Sequence, residues 1–114
     1  MTKKPHADPR ERILEVVRSI PRGSVLGYGE VARRAGLPGR ARMAAKVLSE
    51  NNDPNVPWHR VLRSDGRIAL PERSAGYETQ VMRLREEGLS VIAGRVRGAR
   101  PAADIDELIW GPTH

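Results

Sequence analysis

The sequence predicts a mainly α-helical domain with one small β-hairpin, organised around a helix–turn–helix. Three observations carry that reading. Apolar residues recur at helical spacing between capping and stop signals, most clearly over 9–20 and 75–87. Two short helix-patterned stretches flank a glycine-containing turn at 36–39, the proportions of a helix–turn–helix. Ser64-Asp65-Gly66-Arg67 is a reverse-turn sequence between two short extended runs. With 114 residues there is enough chain for one core but hardly for two, so 8–114 reads as one domain behind a disordered tail at 1–7.

The elements follow in order. Asp8 is placed to cap the first helix, Pro9 suits its first position, and Glu11 can bond back to the cap. Ile13, Val16, Val17 and Ile20 form one apolar face, Leu14 widens it, and Pro21 and Gly23 end it. Residues 21–27 read as a turn with one short extended segment. A second helix is expected over 28–35, with Gly36 as its stop, then a tight turn at Leu37-Pro38-Gly39 and a third helix over 40–49. On that third helix Met43, Ala44, Val47 and Leu48 can pack inward, leaving Arg42, Ala45, Lys46 and Ser49 outside. A polar loop, Glu50 to Asn55, leads into Val56-Pro57-Trp58-His59-Arg60-Val61-Leu62. The hairpin is expected to pair 60–63 with 67–70. Ser74 can cap a fourth helix reaching Glu87, with Tyr77, Val81 and Leu84 on one face and Gly88 as the stop. Residues 89–103, rich in Gly, Arg and Ala, read as extended or loose, and Ile105, Leu108, Ile109 and Trp110 as a short apolar end docking on the core.

Composition narrows the function. The chain has no cysteine, which excludes thiol catalysis, disulfides and thiolate metal sites. No apolar run approaches the roughly 20 residues a membrane span requires, and the start of the chain lacks a signal peptide's apolar segment; a cytoplasmic monomer is expected. The net charge is +6 and the pI about 10.7. Residues 21–50 hold six basic and two acidic residues, the purest basic block. Arg dominates, with Lys only at 3, 4 and 46, and its planar fork suits phosphate contacts. Small side chains between charged ones would let the third helix sit in a DNA groove while its ends hold phosphates.

Enzymatic chemistry finds little support. His6, His59 and His114 are too scattered for a metal site. No serine, threonine or carboxylate lies in a nucleophile motif, so neither metal nor cofactor is expected. His59 is the one candidate acid–base group, with Glu87 as its potential partner. Trp58 is one of only two tryptophans in a chain without phenylalanine. Between a polar loop and a turn it is either a core aromatic or a flat wall on which a purine can stack. Tyr28, just after Gly27, is either a half-buried core residue or one held near the DNA backbone.

Pro57-Trp58-His59-Arg60-Val61, with the basic helical region before it and Arg85-Glu86-Glu87-Gly88 after it, resembles the active-site motif of the O6-alkylguanine-DNA alkyltransferases. In that family the residue between Pro and His is the alkyl-accepting cysteine. Trp58 in its place, followed by His59-Arg60, resembles the alkyltransferase-like proteins, which bind alkylated guanine without repairing it. Ile20-Pro21-Arg22-Gly23 and Tyr28-Gly29-Glu30-Val31-Ala32 are similar to the segment entering the family's winged helix–turn–helix. The stretch from Ile105 to Pro112 is similar to the end of alkyltransferase-like proteins.

The resemblance implies a winged helix–turn–helix like the alkyltransferase C-terminal domain, its recognition helix in the minor groove and the damaged nucleotide rotated into a pocket. It implies Tyr28, Arg40, Arg42, Ala45 and Lys46 as DNA-contacting residues, with Tyr28 turning the nucleotide and Arg42 filling the vacated stack. Tyr28, Trp58, His59, Val61 and Arg73 would line the lesion pocket, and Asn51, His59 and Glu87 would be the hinge and the remains of the Cys-His-Glu relay. Some relatives carry a pocket arginine where Pro71 falls here, and Arg73 is the nearest substitute. The implied function is a non-enzymatic sensor of O6-alkylguanine in duplex DNA that marks it for nucleotide excision repair proteins. The rivals are a winged-helix regulator reading undamaged sequence and a hydrolase or glycosylase-like enzyme using His59 and Glu87.

Overall fold

The computed structural model describes residues 8–99. The expected tail at 1–7 and the apolar end at 105–110 lie outside the described residues. Helix α1 spans Pro9–Arg18, strand β1 Leu26–Gly27, helix α2 Tyr28–Arg34 and helix α3 Ala41–Glu50. A one-turn 3-10 helix, Trp58–Arg60, runs into strand β2, Val61–Leu62, and is followed by helix α4, Ala75–Glu86. Strands β3, Ser90–Ile92, and β4, Arg95–Arg97, complete the described chain.

Local sequence accounts for most of these boundaries. The Asp8 carboxylate accepts the Glu11 N–H at 2.8 Å and Pro9 opens α1. The Glu11 carboxylate points along the helix to Arg18, at 3.0 Å, rather than back to the cap. Ser74 Oγ caps α4 by accepting the Tyr77 N–H at 3.2 Å. Helices α2 and α4 end alike. Gly36 and Gly88 take positive φ, of 82° and 88°. The next residue's N–H then reaches back five positions, Leu37 to Ala32 and Leu89 to Leu84, so carbonyls that would be orphaned are satisfied.

Two apolar cores share β2. Ile13, Val17, Ile20, Val31, Ala32, Ala44 and Val47 join α1, α2 and α3 into the first, which Leu26, Val56 and Val61 complete. Leu62, Ile68, Leu84, Leu89 and Val91 form the second, beneath α4 and the β3–β4 hairpin. Successive residues of a strand point to opposite faces, so Val61 enters one core and Leu62 the other. Strand β2 pairs in parallel with β1, Leu26 opposite Val61 and Gly27 opposite Leu62. That pair ties the start of the helix–turn–helix to the exit of the Trp58–Arg60 turn.

The expected hairpin is displaced. Its turn forms, with the Gly66 N–H donating to Arg63 O at 2.9 Å and the Arg63 N–H to Arg67 O at 2.9 Å. The ladder of 60–63 with 67–70 does not continue, because the returning chain joins β4 and its turn instead. Arg67 bridges Arg95, and the Ile68 N–H donates to Gly94 O at 2.9 Å. The regular hairpin is β3–β4, with Val91 opposite Val96, inside the stretch expected to be extended or loose. Its turn residues, Ala93 and Gly94, both have positive φ, the signature of a primed hairpin turn. Alanine is a poor advertisement for that geometry, which is why the sequence concealed it.

Candidate nucleic-acid interface

Helix α3 presents the face the sequence anticipated. Arg42, Lys46 and Ser49 are exposed, Ala45 is half-buried between them, and Ala44 and Val47 are buried against α1 and α2. Arg40 is exposed at the helix entrance. Lys46 is loosely paired with Glu50 at 3.7 Å, and its side chain is 72% exposed, so a phosphate can displace that partner easily. Tyr28 is the first residue of α2 and is half-buried against the helical core. Burial raises its phenol pKa, so the hydroxyl stays protonated at neutral pH. The β1–β2 pair fixes this end of α2. A Cβ on Gly27 would stand 3.2 Å from Ser64 Cα, so the chain before Tyr28 passes unusually close to the 63–66 turn.

The 3-10 turn positions Trp58 and His59 on adjoining faces, their rings 6.3 Å apart and perpendicular. The turn is braced by the Trp58 N–H donating to Val56 O at 2.8 Å and the Arg60 N–H to Pro57 O at 3.0 Å. Trp58 is half-buried, whereas His59 is 8% exposed. Upstream, the Asn51 amide accepts the Asp53 N–H and donates to Asp53 O, each at 3.2 Å, stiffening the loop that leads into the motif.

Glu87 gathers this region together. One carboxylate oxygen accepts the Gly23 N–H at 2.9 Å, and the other receives His59 Nε2–H at 2.7 Å. The Arg60 guanidinium spans both oxygens at 2.8 to 3.1 Å and sends Nη1 to Ile20 O at 2.7 Å. Burial alone would raise the Glu87 pKa, but Arg60, the Gly23 N–H and His59 outweigh it and hold the carboxyl at about 2. Burial is also the main influence on His59 and lowers its pKa, with the charges of Arg60 and Arg83 adding to the effect against Glu87. At neutral pH the pair is a neutral imidazole donating to a carboxylate that is already saturated with donors. Such a pair organises the ends of α1 and α4 around the motif. The chain has no thiol for it to activate.

Val61 and Arg73 stand differently from expectation. Val61 is fully buried in the helical core, because the inward face of β2 carries it there, so its side chain backs the turn and does not line an open surface. Arg73 is exposed in the turn after Pro71, with φ 72°, a left-handed conformation costly for a non-glycine residue. The arginine set against Trp58 is Arg83 of α4, its guanidinium carbon 5.6 Å from the indole centroid. Sequence reasoning also missed Gln80. Its amide, 2% exposed, donates to His59 O at 3.1 Å and Val61 O at 3.2 Å. A glutamine in the apolar stripe between Tyr77 and Leu84 was the available signal.

A helix–turn–helix with a basic outer face, a β-hairpin wing and a Pro-x-His-Arg turn locked to a helix-end glutamate define an alkyltransferase-type DNA-binding domain. Residues 8–89 match the family described as 6-O-methylguanine DNA methyltransferase, DNA binding domain, and the chain belongs to that family. Alkyltransferase-like protein 1 of Schizosaccharomyces pombe is 34% identical over 102 residues, which cover 89% of this chain and 93% of that protein. A DNA base-flipping protein of Vibrio parahaemolyticus is 40% identical over 70% of this chain and 79% of its own length. Among solved structures, the S. pombe alkyltransferase-like protein in complex with damaged DNA containing O6-carboxymethylguanine superposes with a TM-score of 0.69 at 33% identity. That match covers 85% of this chain and 92% of that one.

Proposed function

We propose that this protein is a non-enzymatic sensor of O6-alkylguanine in duplex DNA. Helix α3 enters the groove, with Arg40 and Lys46 on phosphates, Ala45 allowing close approach and Arg42 filling the gap left in the stack. Tyr28 helps turn the nucleotide out. The extruded base packs on Trp58, beside His59 and within reach of the Arg73 loop, and Asn51 keeps the entering loop in register. An O6-alkyl group weakens pairing to cytosine and so lowers the cost of extrusion. The complex that persists would mark the site for nucleotide excision repair proteins, which places the protein with the chromosome.

The observation that carries the reading is Trp58 on the turn that is joined to Glu87 through His59 and Arg60. By its resemblance to the family's Pro-x-His-Arg motif the turn stands at the acceptor position, where it offers an indole face in place of a thiolate. Similarity to a damaged-DNA complex and to a base-flipping protein supports lesion binding over reading of undamaged sequence. The test is a pair of titrations at fixed salt on duplexes differing by one O6-methylguanine, followed by mass measurement of the recovered lesion strand. Tighter binding to the lesion with the methyl group retained is expected. Equal affinities, or a strand lighter by the methyl group, would reject the proposal.

A further inference from the structure

Arg83 has no role in the chemistry described so far, yet it is the cation the fold sets against Trp58. It lies on the exposed side of α4, and its guanidinium carbon is 5.6 Å from the indole centroid. No described carboxylate lies within ion-pair distance of it. Glu87, one turn further along the helix, is taken up by Arg60, His59 and the Gly23 N–H. Arg60 and Glu87 cancel and His59 is neutral, so Arg83 brings a positive charge to Trp58 that no described carboxylate offsets.

We propose that Arg83 is a specificity-determining residue that favours O6 substituents bearing a carboxylate over simple alkyl groups. This rests on the proposed function, in which the extruded base packs on Trp58. In that pose the guanidinium set over the indole is a donor for a group that extends from O6. A methyl group offers it no acceptor. A carboxymethyl group offers two oxygens in a plane, the arrangement the arginine fork matches with paired N–H donors. Resting on the indole face, the guanidinium is held near its target and is weakly hydrated, so turning it to a carboxylate costs little.

The test uses the full chain and its Arg83→Ala and Arg83→Lys variants. Anisotropy titrations at fixed salt would compare three duplexes identical except for one guanine: unmodified, O6-methyl and O6-carboxymethyl. Thermal unfolding would check that the variants fold, which exposure of Arg83 on the helix favours. The wild type should bind the carboxymethyl duplex about tenfold more tightly than the methyl duplex, the scale of one charge-assisted hydrogen-bonded contact. Arg83→Ala should erase that difference while keeping the preference of methylguanine over guanine, and Arg83→Lys should retain part of it. Equal wild-type affinity for the two lesions, both tighter than guanine, would overturn the role of Arg83 and leave the sensor intact. So would a preference that survives Arg83→Ala, or a loss equal on all three duplexes, which would make Arg83 a phosphate contact. Equal wild-type affinity for all three would overturn the underlying sensor as well.

Discussion

At the scale of single residues, Trp58 and Glu87 divide the labour of the motif. Trp58 is half-buried and contributes a surface, whereas the Glu87 side chain is 4% exposed and contributes connectivity. Replacing Trp58 with Ala should therefore weaken binding to an O6-methylguanine duplex by about 1–3 kcal/mol, the value of one base–aromatic stack. Binding to the unmodified duplex should change little, and equal losses in the two titrations would remove Trp58 from the pocket. Glu87 makes a prediction about acid. Its pKa is lowered from 4.5 in the unfolded chain to about 2 in the fold. The unfolded state therefore binds the proton first, and the stabilisation, complete above pH 4.5, drains away as pH falls towards 2. His59 acts with the same sign at higher pH. Its folded pKa lies below 6.5, so the unfolded state also protonates first there and stability declines as pH drops below that value. Urea midpoints measured from pH 7 to pH 3 should fall throughout, and Glu87→Gln should flatten the segment below pH 4.5.

At the scale of elements, legibility followed the range of the interaction. Caps and stops were plain, because Asp8, Ser74, Gly36 and Gly88 act on backbone groups a few residues away. The outward face of α3 was equally plain, since helical periodicity decides it. What stayed hidden was pairing between distant segments. Nothing near Val61 announces a parallel partner at Leu26, and nothing near Arg67 announces Arg95. Glu87 was legible only as a potential partner of His59, since sequence carries no distance, and Arg60 as the clamp of that pair and Gln80 as its strut were not named at all. Gln80 carries the sharpest prediction at this scale. Its single amide nitrogen satisfies the carbonyls of His59 and Val61 on either side of the 3-10 turn's exit. Gln80→Leu fits the apolar stripe but leaves both carbonyls without that donor, so it should cost about 1–3 kcal/mol in urea unfolding. Lesion preference should fall with it, because the turn that presents Trp58 would lose its support on α4. An unchanged midpoint would show that the two carbonyls find other donors.

At the scale of the whole molecule, the distribution of charge determines how the parts act together. The chain carries a net charge of +6, and the Trp58–Arg60 turn contributes little of it because Arg60 is neutralised by Glu87. Arg40, Arg42 and Lys46 are all exposed cations on or beside α3, Lys46 only loosely paired with Glu50. Under the proposed function, affinity for DNA and preference for the lesion reside in separate regions, joined by the β1–β2 pair. Cations that neutralise phosphates release counterions, and each contact steepens the fall of log affinity with log salt by about 0.9 on duplex DNA. Lys46→Ala removes one such contact and should flatten that slope by about 0.9 on lesion and unmodified duplexes alike, leaving their affinity ratio intact. Arg42→Ala should behave otherwise. A side chain that occupies the vacated stack interacts only with the flipped state, so its loss should lower the affinity ratio more than the slope. Titrations of both variants across a salt series, on both duplexes, separate the two roles. If Arg42→Ala shifts only the slope, Arg42 is a phosphate contact and the extruded state is held by Trp58 without it.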